Sequence, residues 1–155
     1  MSPPQRTRTE MRPSEPDTHD RFALPSETIM LAPRNVNVAT ARRFATRWFA
    51  RAAALDPASD ELYDLGLMTS ELVTNAFEHG DDQAVEIRVS FDGVAAMVSV
   101  ASHGPEQLAP ASDWAVAGVD AASGRGLGIV RSLADDIHID RSDGRLTIGV
   151  TRRLR

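Results

Sequence analysis

A carboxylate and a carboxamide stand one helical turn apart at Glu71 and Asn75, within the string Glu-Leu-Val-Thr-Asn-Ala. Residues at positions i and i+4 of a helix point the same way. Read at helical spacing, the segment is amphipathic, and the pair falls at the border of its apolar arc. Two polar groups at the rim of a core could line a cleft. Ordinary boundary residues of a helix are the alternative interpretation.

Three glycines stand at the start of another predicted helix, at Gly124, Gly126 and Gly128. Backbone N–H groups and the helix dipole at such a place favour an anion such as a phosphate. A dinucleotide-binding fingerprint is not indicated, because an alanine-rich loop precedes the glycines and a hairpin follows them. The alternative is that the glycines only let the chain turn and pack closely.

The four histidines show no spacing typical of a metal site. His79 stands at a predicted helix end, where we expect it near phosphates or capping carbonyls. His103 follows Ser102, but no nucleophile-elbow pattern surrounds that serine. The sequence therefore does not indicate a metallohydrolase or a serine hydrolase.

Composition excludes several other classes. The 155 residues include no cysteine, so disulfides and thiolate sites are ruled out. All 17 basic residues are arginines, which excludes a Walker-type phosphate loop and a pyridoxal Schiff base. A net charge of −5 argues against direct nucleic-acid binding. No apolar run is long enough for a membrane span or a signal peptide, so we expect a cytoplasmic protein.

Residues 1–20 carry four prolines and almost nothing apolar, which predicts a disordered tail before a domain at 21–155. Within the domain, Asn35 or Asn37 could cap a first helix. Asp56-Pro57 should start the helix that carries Glu71, and Gly80 should end it. On the first helix, three arginines form an i, i+4, i+8 row. This row predicts a solvated basic face, with a docking surface for an acidic partner as the alternative. The row consists of Arg43, Arg47 and Arg51.

Strand patterns complete the domain. A short apolar run at Thr28–Leu31 predicts an edge strand. Two pairs of alternating strands are joined by Asp92-Gly93 and Asp143-Gly144, which predicts two hairpins. Residues 104–123 show no convincing period and predict a lid or binding loop. The expected fold is α+β, with a mostly antiparallel sheet covered on one face by helices.

Taken together, the motifs resemble the GHKL ATPase/kinase superfamily. The Glu-Leu-Val-Thr-Asn-Ala string followed by His79-Gly80 looks like its N box, and Gly-Arg-Gly-Leu-Gly-Ile-Val from Gly124 looks like its second glycine box. The chain is most similar to the small anti-sigma-factor serine/threonine kinases and related ATP-binding regulatory proteins of actinobacteria. The likeness covers about residues 28–154.

The resemblance implies a Bergerat-type two-layer sandwich that binds ATP and Mg²⁺. It implies that Asn75 holds the Mg²⁺ bridging the phosphates, that Glu71 is the general base, and that Thr147 lies beneath the adenine. The phosphates would be bound through the second glycine box and His79, and the adenine end would lie near Ser102 and Gly104. The glycine-box residues implied are Gly124, Arg125, Gly126, Leu127 and Gly128.

One departure from the family pattern concerns Ser102, which stands where an aspartate usually receives the adenine amino group. A neutral hydroxyl bonds less strongly than a carboxylate. Two functions follow: a kinase in a partner-switching pathway that regulates transcription, or a silent nucleotide-sensing or interaction module. The partners implied are a sigma factor and an anti-sigma antagonist, and a homodimer is a further expectation.

Overall fold

The computed structural model describes residues 24–104 and 125–155. The predicted tail at 1–20, nearly all of the predicted lid and Gly124 lie outside the described residues. In chain order the described elements are β1 (Ser26–Leu31), α1 (Val36–Ala52), α2 (Asp60–His79), β2 (Val85–Phe91), β3 (Ala95–His103), α3 (Arg125–Leu133), β4 (Asp136–Ser142) and β5 (Arg145–Arg153).

The five described strands form one antiparallel sheet in the order β1-β2-β3-β5-β4. Both predicted hairpins are present, as β2–β3 and β4–β5. In the first turn the carboxylate of Asp92 accepts the N–H groups of Val94 (2.8 Å) and Ala95 (2.7 Å). These bonds favour the ionised form and lower the pKa of Asp92. Gly93 supplies the positive φ of +95° that this turn requires.

The helices cover one face of the sheet, as predicted. Strand residues alternate between the two faces, and the register aligns the inward-facing ones across β2, β3 and β5. These residues pack against α1 and α2 in a single core, which makes the fold an α+β two-layer sandwich. The buried residues include Phe49, Leu65, Met68, Leu72, Ile87, Val89, Val98, Val100, Ile148 and Val150.

The start of α2 differs from the prediction. Pro57 does not open the helix but lies in a turn before it, where Asp56 Oδ1 accepts the N–H of Ala58 at 2.8 Å. Ser59 is the N-cap instead, and its hydroxyl accepts the N–H of Leu62 at 3.2 Å. Proline favours the first position of a helix, and serine favours the N-cap. Here the helix begins after Ser59, which caps it, and not at Pro57.

The start of α1 corrects the prediction for the asparagines. Asn35 occupies the N-cap position, but its side chain makes no capping hydrogen bond. The side chain of Asn37 lies inside the first turn and donates to the carbonyl of Ala32 at 2.8 Å. This bond ties the helix back to the chain leaving β1, so the amide supports the connection rather than the helix end.

Candidate functional site

The glycine-rich start of α3 lies directly against Glu71 of α2. A Cβ atom built on Gly126 would overlap Oε2 of Glu71 and would lie 3.1 Å from its Cδ and 3.4 Å from its Cβ. Only a glycine therefore allows this approach without displacing the carboxylate. Two segments that are far apart in the sequence meet at this point, and the carboxylate faces the backbone of the glycine box.

The environment of Glu71 makes its carboxylate more basic than an ordinary one. The side chain is half-buried, and this burial raises the pKa of Glu71; the nearby carboxylate of Glu78 raises it further. Both effects disfavour the charged form. A carboxylate with a raised pKa is a better proton acceptor near neutral pH, and such groups cluster at functional sites.

One turn further along α2, Asn75 lines a small recess beside the end of β3 and the start of β5. The recess is also lined by Ser102 and by Leu146, with His79, Gly80, His103 and Gly104 completing the wall. The space left for the centres of water molecules is about 10 Å³, enough for about one water. The described residues thus form one polar corner of a site rather than a complete nucleotide cavity.

Two polar side chains of this recess have no partner among the described residues. Ser102 is only 6% exposed, and neither its hydroxyl nor the half-buried amide of Asn75 makes a side-chain hydrogen bond within residues 24–104 and 125–155. Buried polar groups are normally satisfied by protein or by water. Both groups are therefore available to a water or a bound ligand.

Close contact between two glycines joins α2 to the end of β3. Asp81 donates its backbone N–H to the carbonyl of His103 at 2.8 Å. Gly104 has a φ of +151°, and a Cβ built on it would lie 3.3 Å from the Cα of Gly80. Gly80 ends α2 as predicted, but in extended rather than left-handed backbone. A side chain there would lie 2.5 Å from the carbonyl oxygen of Ala76, so close packing is what requires this glycine.

The structure does not bring Thr147 to this recess. Thr147 pairs with Ala101 in β3, whereas Ser102 pairs with Leu146. Because neighbouring residues of a strand point to opposite faces, Thr147 lies on the face of the sheet away from the helices. Leu146, rather than Thr147, lies beside Ser102 at the recess.

The remaining glycine-box residues lie at or before the start of α3. Leu127 is half-buried against the core, and Gly128 is buried. Arg125 opens the helix, but its side chain lies outside the described part, as does the whole of Gly124. Their contacts with phosphates remain predictions.

A feature that the sequence reasoning missed fixes the other end of α3. Arg152 on β5 donates through Nη1 to the carbonyl of Leu133 at 2.6 Å and through Nη2 to Oδ2 of Asp64 at 2.7 Å. The arginine thereby joins the last turn of α3 to α2. A signal was present, because Arg152 continues the inward-facing alternation of Ile148 and Val150.

A family model, described as a histidine kinase-like ATPase domain, matches residues 31–152. The chain belongs to this family. The predicted resemblance to the GHKL superfamily of histidine kinase-like ATPases is thereby confirmed.

A structural comparison agrees with the fold. The fold is similar to a crystal structure of the RsbU and RsbW domains of Rv1364c from Mycobacterium tuberculosis, with a TM-score of 0.59 and 22% identity. The likeness covers 83% of this chain and 32% of that chain, so this protein spans about a third of the length of the longer one. No curated protein matches the sequence.

Two features are absent from the described residues. None of their helices is long and apolar enough to cross a membrane. No group of three or more histidine, aspartate or glutamate side chains is arranged there to hold a metal ion.

Proposed function

We propose that this protein is an ATP- and Mg²⁺-dependent serine/threonine kinase of the anti-sigma-factor type. The observation that carries the proposal is the position of the Glu71 carboxylate, which has a raised pKa and lies against Gly126 at the start of α3. Proton acceptor and anion-binding backbone are thus neighbours. A phosphoryl-transfer site needs this combination of positioning and electrostatic stabilisation.

In the proposed reaction, Glu71 accepts the proton of the acceptor serine or threonine hydroxyl. The hydroxyl oxygen bonds to the γ-phosphorus of ATP, the bond from that phosphorus to the bridging oxygen breaks, and ADP leaves. The raised pKa strengthens Glu71 as a base. General-base catalysis of this kind typically contributes about 10²–10⁴-fold.

The residues present fit a magnesium ion held largely by the nucleotide. The described residues offer no cluster of carboxylates that could hold the ion alone, and Mg²⁺ commonly uses few protein ligands together with phosphates and waters. Asn75 contributes an uncommitted amide oxygen on the same side of α2 as Glu71. When bound, Mg²⁺ would neutralise charge on the phosphates, and Asn75 would fix its position.

The other site residues bind and orient ATP in this proposal. The backbone amides of Gly124, Gly126, Leu127 and Gly128 face the phosphates, and Arg125 and His79 lie near their charge. At the opposite side of the recess, Ser102 and Gly104 contact the adenine end. Because Ser102 is neutral, we expect weaker adenine binding than an aspartate would give.

The biological setting is also proposed by resemblance. The protein would act in the cytoplasm, binding a sigma factor in one state and phosphorylating an anti-sigma antagonist in another. It would regulate transcription through this exchange of partners without contacting nucleic acid itself. A homodimer is compatible with this role.

Transfer of labelled γ-phosphate from ATP to a co-expressed antagonist tests the kinase proposal. We expect Glu71→Gln to lower the rate about 10²–10⁴-fold because the base is removed. Glu27→Gln, which removes an exposed carboxylate on β1, is the matched control and should retain the rate. Undiminished transfer in Glu71→Ala would exclude this residue from the mechanism.

A second function is favoured by one observation, the uncharged Ser102. The protein would then be a nucleotide sensor or an interaction module without phosphotransfer. Calorimetry with ATP and Mg²⁺ on folded protein separates the possibilities. Binding without transfer supports the sensor, whereas no binding at millimolar ATP supports the interaction module.

A further inference from the structure

A groove of about 340 Å³ lies between α1 and the start of α2. We call it the α1–α2 groove. Its wall on α1 is formed by Arg42, Thr46, Arg47 and Ala50, and its wall on the α2 side by Pro57, Leu62 and Tyr63. The groove is at the end of α2 away from Asn75, so it is separate from the recess described above.

The α1 side of this groove is basic. The helix contains four arginines and no acidic residue. Three of the arginines, at positions 43, 47 and 51, are exposed along one line of the helix. Within residues 24–104 and 125–155 none of the three forms an ion pair. A positive stripe therefore stands on a protein whose net charge is −5.

Among the described residues, the acidic side chains closest in sequence to the groove form no ion pair with this stripe. Asp56 accepts the N–H of Ala58, Glu61 accepts the N–H of Arg155, and Asp64 is paired with Arg152. Asp60 lies in the first turn of α2, where the helix dipole favours a negative charge.

The apolar part of the groove is preorganised. The guanidinium of Arg42 lies 5.1 Å from the ring centroid of Tyr63, a cation–π arrangement that orients both side chains. The two helices approach closely because Gly66 has no side chain: a Cβ there would lie 2.8 Å from Cγ2 of Thr46. Tyr63 nevertheless remains 59% exposed. Exposed tyrosine beside arginine is typical of interface hot spots.

We propose that the α1–α2 groove docks an acidic amphipathic helix of a partner protein. Charge complementarity argues for the acidic face, and the apolar floor with Tyr63 argues for an amphipathic segment. The protein's own residues 1–23 are a poor match, since they contain four arginines and four acidic residues and have no net charge.

The spacing of the arginines fits a helical partner. Successive residues of the row are separated by about 6 Å along the helix axis, because each of four residues rises about 1.5 Å. Glutamates at i, i+4 and i+8 of a partner helix have the same spacing. A helix lying along α1 can therefore pair all three charges while its apolar side enters the groove.

Fluorescence anisotropy of a designed peptide tests this proposal without nucleotide, so its outcome is independent of the kinase proposal. The probe is a labelled helical peptide with three glutamates at this spacing and a leucine stripe beside them. We expect the double variant Arg47→Glu/Arg51→Glu to weaken binding at least about tenfold. Added salt should weaken binding to the unmodified protein, since exposed charges are screened.

Several controls make the result decisive. Arg88→Glu makes the same kind of charge change on the sheet face away from the helices and should leave binding unchanged. Tyr63→Ala, which removes the apolar anchor but no charge, should also weaken binding; circular dichroism verifies the fold of each variant. Absence of binding at millimolar protein would overturn the proposal.

Other outcomes would assign the surface differently. Equal binding of disordered polyglutamate, or of the peptide with lysines for glutamates, would overturn docking of a specific acidic helix. Sedimentation that shows a dimer dissociating in the double variant would make a second copy the occupant. Binding of phosphatidylserine vesicles in place of the peptide would assign the stripe to a membrane surface.

Discussion

The two ends of α3 are held in different ways. At its C-terminal end, the carbonyl of Leu133 accepts a hydrogen bond from Arg152, which is also paired with Asp64. At its N-terminal end, Gly126 packs against the carboxylate of Glu71 through the absence of a side chain. The C-terminal end is held by charge-assisted hydrogen bonds, whereas the N-terminal end is positioned by close packing at a glycine.

This difference separates a stabilising role from a ligand-facing role along one short helix. Charge-assisted bonds set the position of the last turn. At the first turn, close packing brings the backbone of Gly126 against the Glu71 carboxylate, and this carboxylate makes no hydrogen bond within residues 24–104 and 125–155. The stabilising groups and the groups available to a ligand are thus at opposite ends, and variants at each end should affect different properties.

The largest expected effect follows from filling the space beside Glu71 at the N-terminal end of α3. In Gly126→Ala, the new methyl group would displace the Glu71 carboxylate, so we expect phosphate transfer to fall by at least about 100-fold. Stability should change by less than about 1 kcal/mol, because alanine favours a helix over glycine by a similar amount. Transfer assays and thermal denaturation measure the two quantities.

The control for this variant is Gly149→Ala. A Cβ at Gly149 would lie 3.9 Å from its nearest neighbours, which is ordinary contact. Phosphate transfer should therefore be retained. If Gly126→Ala transferred phosphate at the rate of the unmodified protein, the contact with Glu71 would have no functional role.

The next largest effect concerns the C-terminal end of α3, which Arg152 holds. Arg152→Ala leaves both Asp64 and the Leu133 carbonyl without this donor, and we expect a loss of about 2–3 kcal/mol in the free energy of unfolding. Chemical denaturation measures this loss. Hydrogen exchange should show faster opening of the last turn of α3.

A second ion pair provides the comparison. Arg145 is paired with Glu86 at 2.9 Å, but their side chains are 38% and 34% exposed, against 22% and 20% for Arg152 and Asp64. We expect Arg145→Ala to cost less than about 1 kcal/mol, since solvent screens exposed pairs. Equal losses in the two variants would show that Arg152 is only another surface charge.

The smallest effect is a pH-dependent change at Glu71. Its raised pKa means that the folded state binds more protons than the unfolded state between the ordinary glutamate pKa of about 4.3 and the raised value. The contribution of this group to stability therefore falls as pH rises through that window. We expect Glu71→Gln to be more stable than the unmodified protein at pH 8 and to lose this advantage near pH 4, as denaturation at both pH values would show.

Most of the fold could be predicted from the sequence because its patterns are local. Alternating strands around Asp92-Gly93 and Asp143-Gly144 define two hairpins, and one apolar arc defines α2. The helix starts could not be placed as well, since Pro57 and Ser59 both suit a helix N-terminus and only the packed structure decides between them.

The placement of Glu71 and Asn75 one turn apart on α2 could be predicted, because spacing along one helix sufficed. Positions that depend on pairing between strands were harder. A shift of one residue in strand register moves a side chain to the other face of a sheet. The observed register pairs Ser102 with Leu146, so Leu146 and not Thr147 lies beside Ser102. Strand alternation indicates that Arg152 faces inward, but its link to α2 and α3 depends on three elements at once and is not encoded by that local pattern.

Calorimetric titration of ATP, with and without Mg²⁺, tests most directly whether Asn75 and the glycine box form one nucleotide site. We predict that Mg²⁺ strengthens ATP binding to the unmodified protein and that folded Asn75→Ala loses this enhancement. Identical Mg²⁺-dependent binding in Asn75→Ala, or no binding of ATP at millimolar concentration by the folded protein, would contradict the account.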